Sequence, residues 1–129
     1  MNSAGARFLK INYNEVLEEL RRYAAVKGAT LGTKAIILAG SLAKGTYTGT
    51  SDADVLIIAD EVPGKPLDRY TLFQDLSLSI DIEPRIYTTR EFISKVEQGD
   101  HFAIEALEKG IPLFGAQFLK NLKSKYFMG

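Results

Sequence analysis

Two aspartates, a later acid and a Gly-Ser pair are the residues of this chain whose types and spacing suit chemistry. Asp52 and Asp54 open an apolar run, Asp52-Ala-Asp-Val-Leu-Ile-Ile-Ala59, that reads as a strand. Side chains alternate along a strand, so both carboxylates point the same way with their Cα atoms about 7 Å apart. Like charges at that separation repel by about 2–3 kcal/mol at an effective dielectric of about 20. Asp81, with Glu83, lies on the polar face of a later alternating run, and a third acid brought alongside multiplies the repulsion. Such a cluster is tolerated where something positive is meant to sit. Hard oxygen ligands at low count, with room for water and phosphate, suit Mg²⁺ or Mn²⁺ better than an enclosed Ca²⁺ cage.

Gly40-Ser41 closes an earlier apolar run, Thr33–Ala39, and supplies the complementary half. Glycine lets a ligand approach the backbone, serine offers a hydroxyl, and the free amides of a helix start attract phosphate. Lys44, shortly after, is a further candidate phosphate contact, although a lysine on a short exposed helix is more often only solvated. A triphosphate and its metals bridging the two halves would perform two-metal phosphoryl or nucleotidyl transfer. The other nucleotide motifs fail. Gly40-Ser-Leu-Ala-Lys-Gly45-Thr46 has the glycine spacing of a P-loop but a threonine in place of its lysine, and no G-x-G-x-x-G occurs.

Composition narrows the field further. The chain has 129 residues, no cysteine and a single histidine, His101, which excludes Cys/His zinc sites and cysteine nucleophiles. Sixteen basic residues balance sixteen acidic ones, so no global charge steers the protein to nucleic acid or an anionic membrane. No apolar run approaches the ~20 residues of a membrane helix, and residues 1–12 lack a secretory apolar core, so a cytoplasmic protein is expected.

The elements that must hold these residues follow from periodicity. An amphipathic helix is predicted over Asn14–Lys27, with Val16, Leu17, Leu20, Tyr23 and Ala24 inward and Gly28 as its stop. Strands are predicted at Thr33–Ala39, Asp52–Ala59, Ser79–Tyr87 and Ile111–Phe114, with Pro84 marking an edge position or strand end. One helical turn is expected at Leu42–Lys44, an exposed loop at Gly45–Ser51, and a helix at Leu67–Leu76 with Leu72, Phe73 and Leu76 inward. Further helices are expected at Glu91–Gln98, Phe102–Lys109 and Ala116–Tyr126. The fold class is α+β or α/β: one domain over residues 1–129, core about 12–115 with a terminal helix over 116–127, built on a small mixed sheet covered by helices on one face. Phe92, Phe102, Phe114 and Phe118 are core by spacing, His101 is a surface or capping residue, and Arg85 is an ion partner for Glu83. Lys120, Lys123 and Lys125 form a solvated basic face.

The string G-S-x-A-x-G-x5-S-D-x-D, as it stands over residues 40–54, resembles the signature of the DNA polymerase β-like nucleotidyltransferase superfamily. Asp81-Ile-Glu-Pro84 is similar to that superfamily's third-acid segment, and the chain's size resembles the minimal nucleotidyltransferase (MNT) group, which includes antitoxins paired with HEPN-domain partners. The resemblance spans about residues 12–115. It implies that Gly40 and Ser41 hold a triphosphate, that Asp52 and Asp54 ligate both metals, and that Asp81 completes the catalytic metal site. Counted from the Tyr87-Thr88 end of the strand, Glu83 is the alternative third acid.

The expected function is Mg²⁺-dependent transfer of a nucleotide, AMP from ATP, to an acceptor hydroxyl. The core fills nearly the whole sequence, so the expected acceptor comes from a partner protein, and the resemblance implies a tyrosine of a HEPN-type toxin. Nucleic acid is not expected as the direct substrate. Two alternatives stand beside it: a non-catalytic nucleotide-binding subunit that masks a partner, and a homodimeric enzyme acting on a small molecule.

Overall fold

The computed structural model describes residues 13–47 and 52–127. The expected absence of a leader over residues 1–12, the core limit at residue 12 and most of the Gly45–Ser51 loop lie outside the described residues. Helix α1 (Tyr13–Gly28) leads into β1 (Thr33–Ala39), a single turn α2 (Gly40–Lys44) and β2 (Ala53–Ala59). Helix α3 (Pro66–Phe73), β3 (Ile82–Tyr87), α4 (Thr89–Glu97), α5 (His101–Lys109), β4 (Ile111–Phe114) and α6 (Ala116–Phe127) follow.

The strands form one four-stranded sheet in the order β3-β2-β1-β4, with β1 antiparallel to both β2 and β4, and β2 parallel to β3. The mixed sheet is as expected, but helices cover both of its faces rather than one. The reason is in the strands themselves: β1 and β2 are apolar at both parities, so neither face can be left wet. Ile36, Leu38, Val55 and Ile57 pack with Leu20 and Tyr23 of α1 and Phe73 of α3, whereas Ile37, Leu56 and Ile58 pack with Phe92 of α4, Leu107 of α5 and Leu119 of α6.

The helix after β2 departs most from expectation. It ends at Phe73, and its inward residues are Arg69 and Phe73; Leu72 is 39% exposed and Leu76, beyond the helix, 85%. The Asp75 carboxylate accepts from the Ser77 amide at 2.9 Å and its hydroxyl at 2.6 Å, and this local turn outcompetes a further helical turn. Strand β3 likewise begins at Ile82, not Ser79, because the Ser79 amide and hydroxyl both bond to Glu19 of α1 at 2.9 Å. Helix α4 starts earlier than apolar spacing suggests, since Thr88 and Glu91 form a capping box; Asp100 caps α5 through the Ala103 amide at 3.0 Å.

β3 is an edge strand, as Pro84 indicated. Ala53 N–H bonds the Asp81 carbonyl at 2.9 Å, which turns the main chain of Ile82, Pro84 and Ile86 outward. That outer edge is blunted: Pro84 lacks an amide proton, Gln74 donates to the Ile82 carbonyl at 3.4 Å and Arg69 to the Ile86 carbonyl at 3.3 Å. Among the described residues no helix is long and apolar enough to cross a membrane.

Candidate active site

Antiparallel pairing of β1 with β2 explains the spacing of the Gly-Ser pair and the aspartates. The connection between the strands returns the chain, so the end of β1 lies against the start of β2 and Ala39 is level with Asp54. Gly40, the next residue, has φ +67, and a Cβ placed on it would stand 2.2 Å from Asp54 Oδ2. A side chain at position 40 would therefore occupy the space of the carboxylate. Glycine is required there twice over, by its conformation and by its neighbour.

Asp54 shares its sheet face with Leu56 and Ile58, and is half-buried. Burial raises its pKa above the ordinary carboxylate value, Arg85 opposes that rise, and Glu83 and Asp52 add to it. Parallel pairing explains the influence of Glu83, which is the register partner of Asp54. Asp81, the expected third acid, is exposed, as Glu83 is, and lies one residue ahead of β3, its carbonyl accepting from the Ala53 amide at 2.9 Å. It is Glu83 that the sheet brings beside Asp54.

Arg85 takes a different role from the one expected. Its guanidinium lies over the Phe102 ring of α5, 4.1 Å from the centroid, and its charge reaches Asp54. Alternation showed that Arg85 shares the face of Glu83, but contact with Phe102 depends on how α5 packs. Phe102 is accordingly half-buried, whereas Phe92 is the fully buried aromatic of that layer.

On the other side of Asp54, the α2 turn begins at Gly40 with no side-chain cap, and is closed by Gly45 at φ +78. The Ser41 carbonyl receives the Gly45 amide and, at 3.0 Å, that of Thr46. Lys44, the candidate phosphate contact, is paired with Glu105 of α5 at 3.1 Å, an exposed pair worth about 0–1 kcal/mol and easily exchanged. His101 is exposed at the start of α5, in agreement with a surface role, and Asp100 does the capping.

Asp52, Asp54 and Glu83 supply hard oxygen donors, and these suit Mg²⁺. Among the described residues no three His, Cys, Asp or Glu side chains converge as a metal cage. Mg²⁺ does not need one, because it keeps waters and phosphate oxygens and takes only one or two carboxylates from the protein.

Asp54, in a strand of a small mixed sheet, stands against Gly40, and the class of protein is that of the nucleotidyltransferases. Residues 14–113 match the model of the nucleotidyltransferase domain, and the chain belongs to that family. A Methanocaldococcus jannaschii protein with the provisional name protein adenylyltransferase MJ1305 is 36% identical over 66 residues. That match covers 46% of this chain and 45% of the relative, so it spans less than half the relative's length. Among solved structures, a chain from the crystal structure of a toxin-antitoxin with AMP-PNP superposes with TM-score 0.58 at 21% identity, over 92% of this chain and 86% of that one. A provisionally assigned nucleotidyltransferase from Sulfolobus solfataricus gives TM-score 0.52 at 13% identity, over 87% of each chain. Both likenesses show the shared fold.

Proposed function

We propose that this chain transfers AMP from ATP, with Mg²⁺, to a hydroxyl of a partner protein in the cytoplasm, the acceptor being a tyrosine of a HEPN-type toxin. The observation that carries the reading is Asp54 seated over Gly40, with Glu83 level beside it. The names of the relatives support the direction: one carries protein adenylyltransferase in its name, and another was solved as a toxin-antitoxin with AMP-PNP.

In this reading Gly40 leaves room for the Asp54 carboxylate, and the phosphate chain lies beside the two. Ser41 and the Gly40 turn orient that chain, and Lys44 exchanges Glu105 for it. Asp52 and Asp54 would hold the metal, with Glu83 as the third acid and Asp81 as its alternative. Mg²⁺ bound there would supply a lowered pKa for the attacking hydroxyl and charge neutralisation for the leaving pyrophosphate. The acceptor oxygen bonds to the α-phosphorus, the bond from that phosphorus to the bridging oxygen of pyrophosphate breaks, and the hydroxyl proton passes to a carboxylate of the cluster.

The test is label transfer: protein, Mg²⁺ and ATP labelled at the α-phosphate, incubated with a co-expressed HEPN-type partner. AMP units appearing on the partner with wild type, and at least about 100-fold less with Asp54→Asn, are expected. Under the same conditions Glu83→Gln should cost more activity than Asp81→Asn. Binding of Mg²⁺ and ATP without transfer from any of the four nucleotides would replace this reading with a subunit that masks its partner.

A further inference from the structure

Arg85 follows Glu83 by two residues on β3, so both side chains stand on the sheet face that carries Asp54. It is level with Leu56, one pleat repeat beyond the Asp54–Glu83 pair, about 7 Å along the strand. The Phe102 ring of α5 restrains it there, with the guanidinium carbon 4.1 Å from the ring centroid. A ring face holds a guanidinium without neutralising it. Arg85 is exposed, and among the described residues it enters no direct ion pair and donates no hydrogen bond. Lys44 differs, because Glu105, one turn along α5 from Phe102, meets its charge at 3.1 Å. Helix α5 therefore holds two cations, one neutralised and one not. The unneutralised one acts on the cluster, where its charge favours the ionised form of Asp54.

We infer that Arg85 sets which form of a divalent cation the acid cluster accepts, disfavouring the bare ion and favouring one carried on a triphosphate. The inference rests on the transfer reading above and adds to it a specificity-determining residue. The physical reason is the sign of the approaching charge. A bare divalent ion is repelled by a guanidinium that does not deprotonate and that Phe102 keeps from swinging away. The complex of the same ion with a triphosphate is negative overall, and its phosphate oxygens match the forked N–H donors of arginine. Phe102 is needed because an unrestrained arginine at an exposed strand position turns its charge into water. One side chain thus weakens one affinity and strengthens the other. A residue that only supported the fold would move both in the same direction.

The test is binding on the full chain, with Mn²⁺ alone read by electron paramagnetic resonance and Mn²⁺ with α,β-methylene-ATP read by calorimetry. This analogue cannot give up its α-phosphate, so binding is measured apart from transfer. Arg85→Gln should bind Mn²⁺ alone about tenfold more tightly than wild type and the Mn²⁺–analogue complex about tenfold more weakly. Arg85→Lys keeps the charge and loses the fork; it should bind Mn²⁺ alone within about threefold of wild type and the complex less tightly. Phe102→Leu should shift both affinities in the directions of Arg85→Gln, by less. Lys120→Gln removes the same charge from α6 and should leave both at their wild-type values. Loss of both affinities together in Arg85→Gln, or no change in either, would overturn the proposal. Opposed shifts without nucleotidyl transfer to any partner would retain the role of Arg85 and remove the transfer reading. Transfer by wild type, with both affinities of Arg85→Gln moving one way, would remove the role of Arg85 and retain the transfer.

Discussion

At Gly40 a single residue couples backbone conformation to chemistry. Gly40→Ala meets a left-handed conformation that costs about 1–2 kcal/mol for an L side chain, and its methyl group is directed at Asp54 Oδ2. A lower melting temperature is expected together with loss of transfer, because the carboxylate must move; calorimetry and label transfer on the same preparation check it. Asp54 itself carries a pH signature. Its folded-state pKa is raised, first by burial and then by Glu83 and Asp52 against the pull of Arg85. The folded protein therefore holds this proton more tightly than the unfolded chain, and stability falls as pH rises through the window above the ordinary value of about 4. Metal-free Asp54→Asn should melt above wild type at neutral pH, and the gap should close below that window. A constant gap across a pH series would contradict the cause assigned here.

Among the elements, α3 shows most clearly how local chemistry sets an outcome. Arg69 is 8% exposed, donates to the Pro63 carbonyl and to Ile86 at 3.3 Å, and pairs with Glu91. It thus ties α3, β3 and α4 together. Arg69→Met keeps the buried stem but leaves two carbonyls without this donor, at about 1–3 kcal/mol. The Arg69 hydrogen bond is also the largest cause holding the Glu91 carboxyl below its ordinary value. A depressed acid stabilises the fold above its unfolded pKa, and that contribution is lost as pH falls through the folded value. The deficit of Arg69→Met in denaturant titrations should accordingly shrink as the solution is acidified through that range.

For the whole molecule, the sheet is one layer shared by two cores. Phe73 closes one and Phe92 the other, at 0% and 1% exposure. Truncating either to alanine should cost about 3–5 kcal/mol. Because β1 and β2 contribute to both cores, unfolding should stay one cooperative transition in each variant, with far-UV circular dichroism and tyrosine fluorescence changing together. Two separated transitions would mean that the helical layers melt independently. The same shared sheet sets Asp54 level with Glu83 near the start of β2 and β3.

The sequence by itself determined what depends on neighbours along the chain. Apolar periodicity set β1, β4 and α1 to within a residue, and Pro84 marked the edge. The Gly40-Ser41 and Asp52-x-Asp54 spacing marked a candidate site, and the pairing of β1 with β2 sets Gly40 against Asp54. The Thr88-x-x-Glu91 box was equally readable but needed attention to caps rather than to apolar spacing. Only the tertiary structure decided the remainder. Which of Asp81 and Glu83 stands beside Asp54 depends on parallel register, and both residues have the same parity. The orientation of α3 depends on Arg69 finding Glu91, and the position of Arg85 on Phe102 arriving from α5. These are contacts between segments distant in sequence, and their energies exist only once the sheet has brought the elements together.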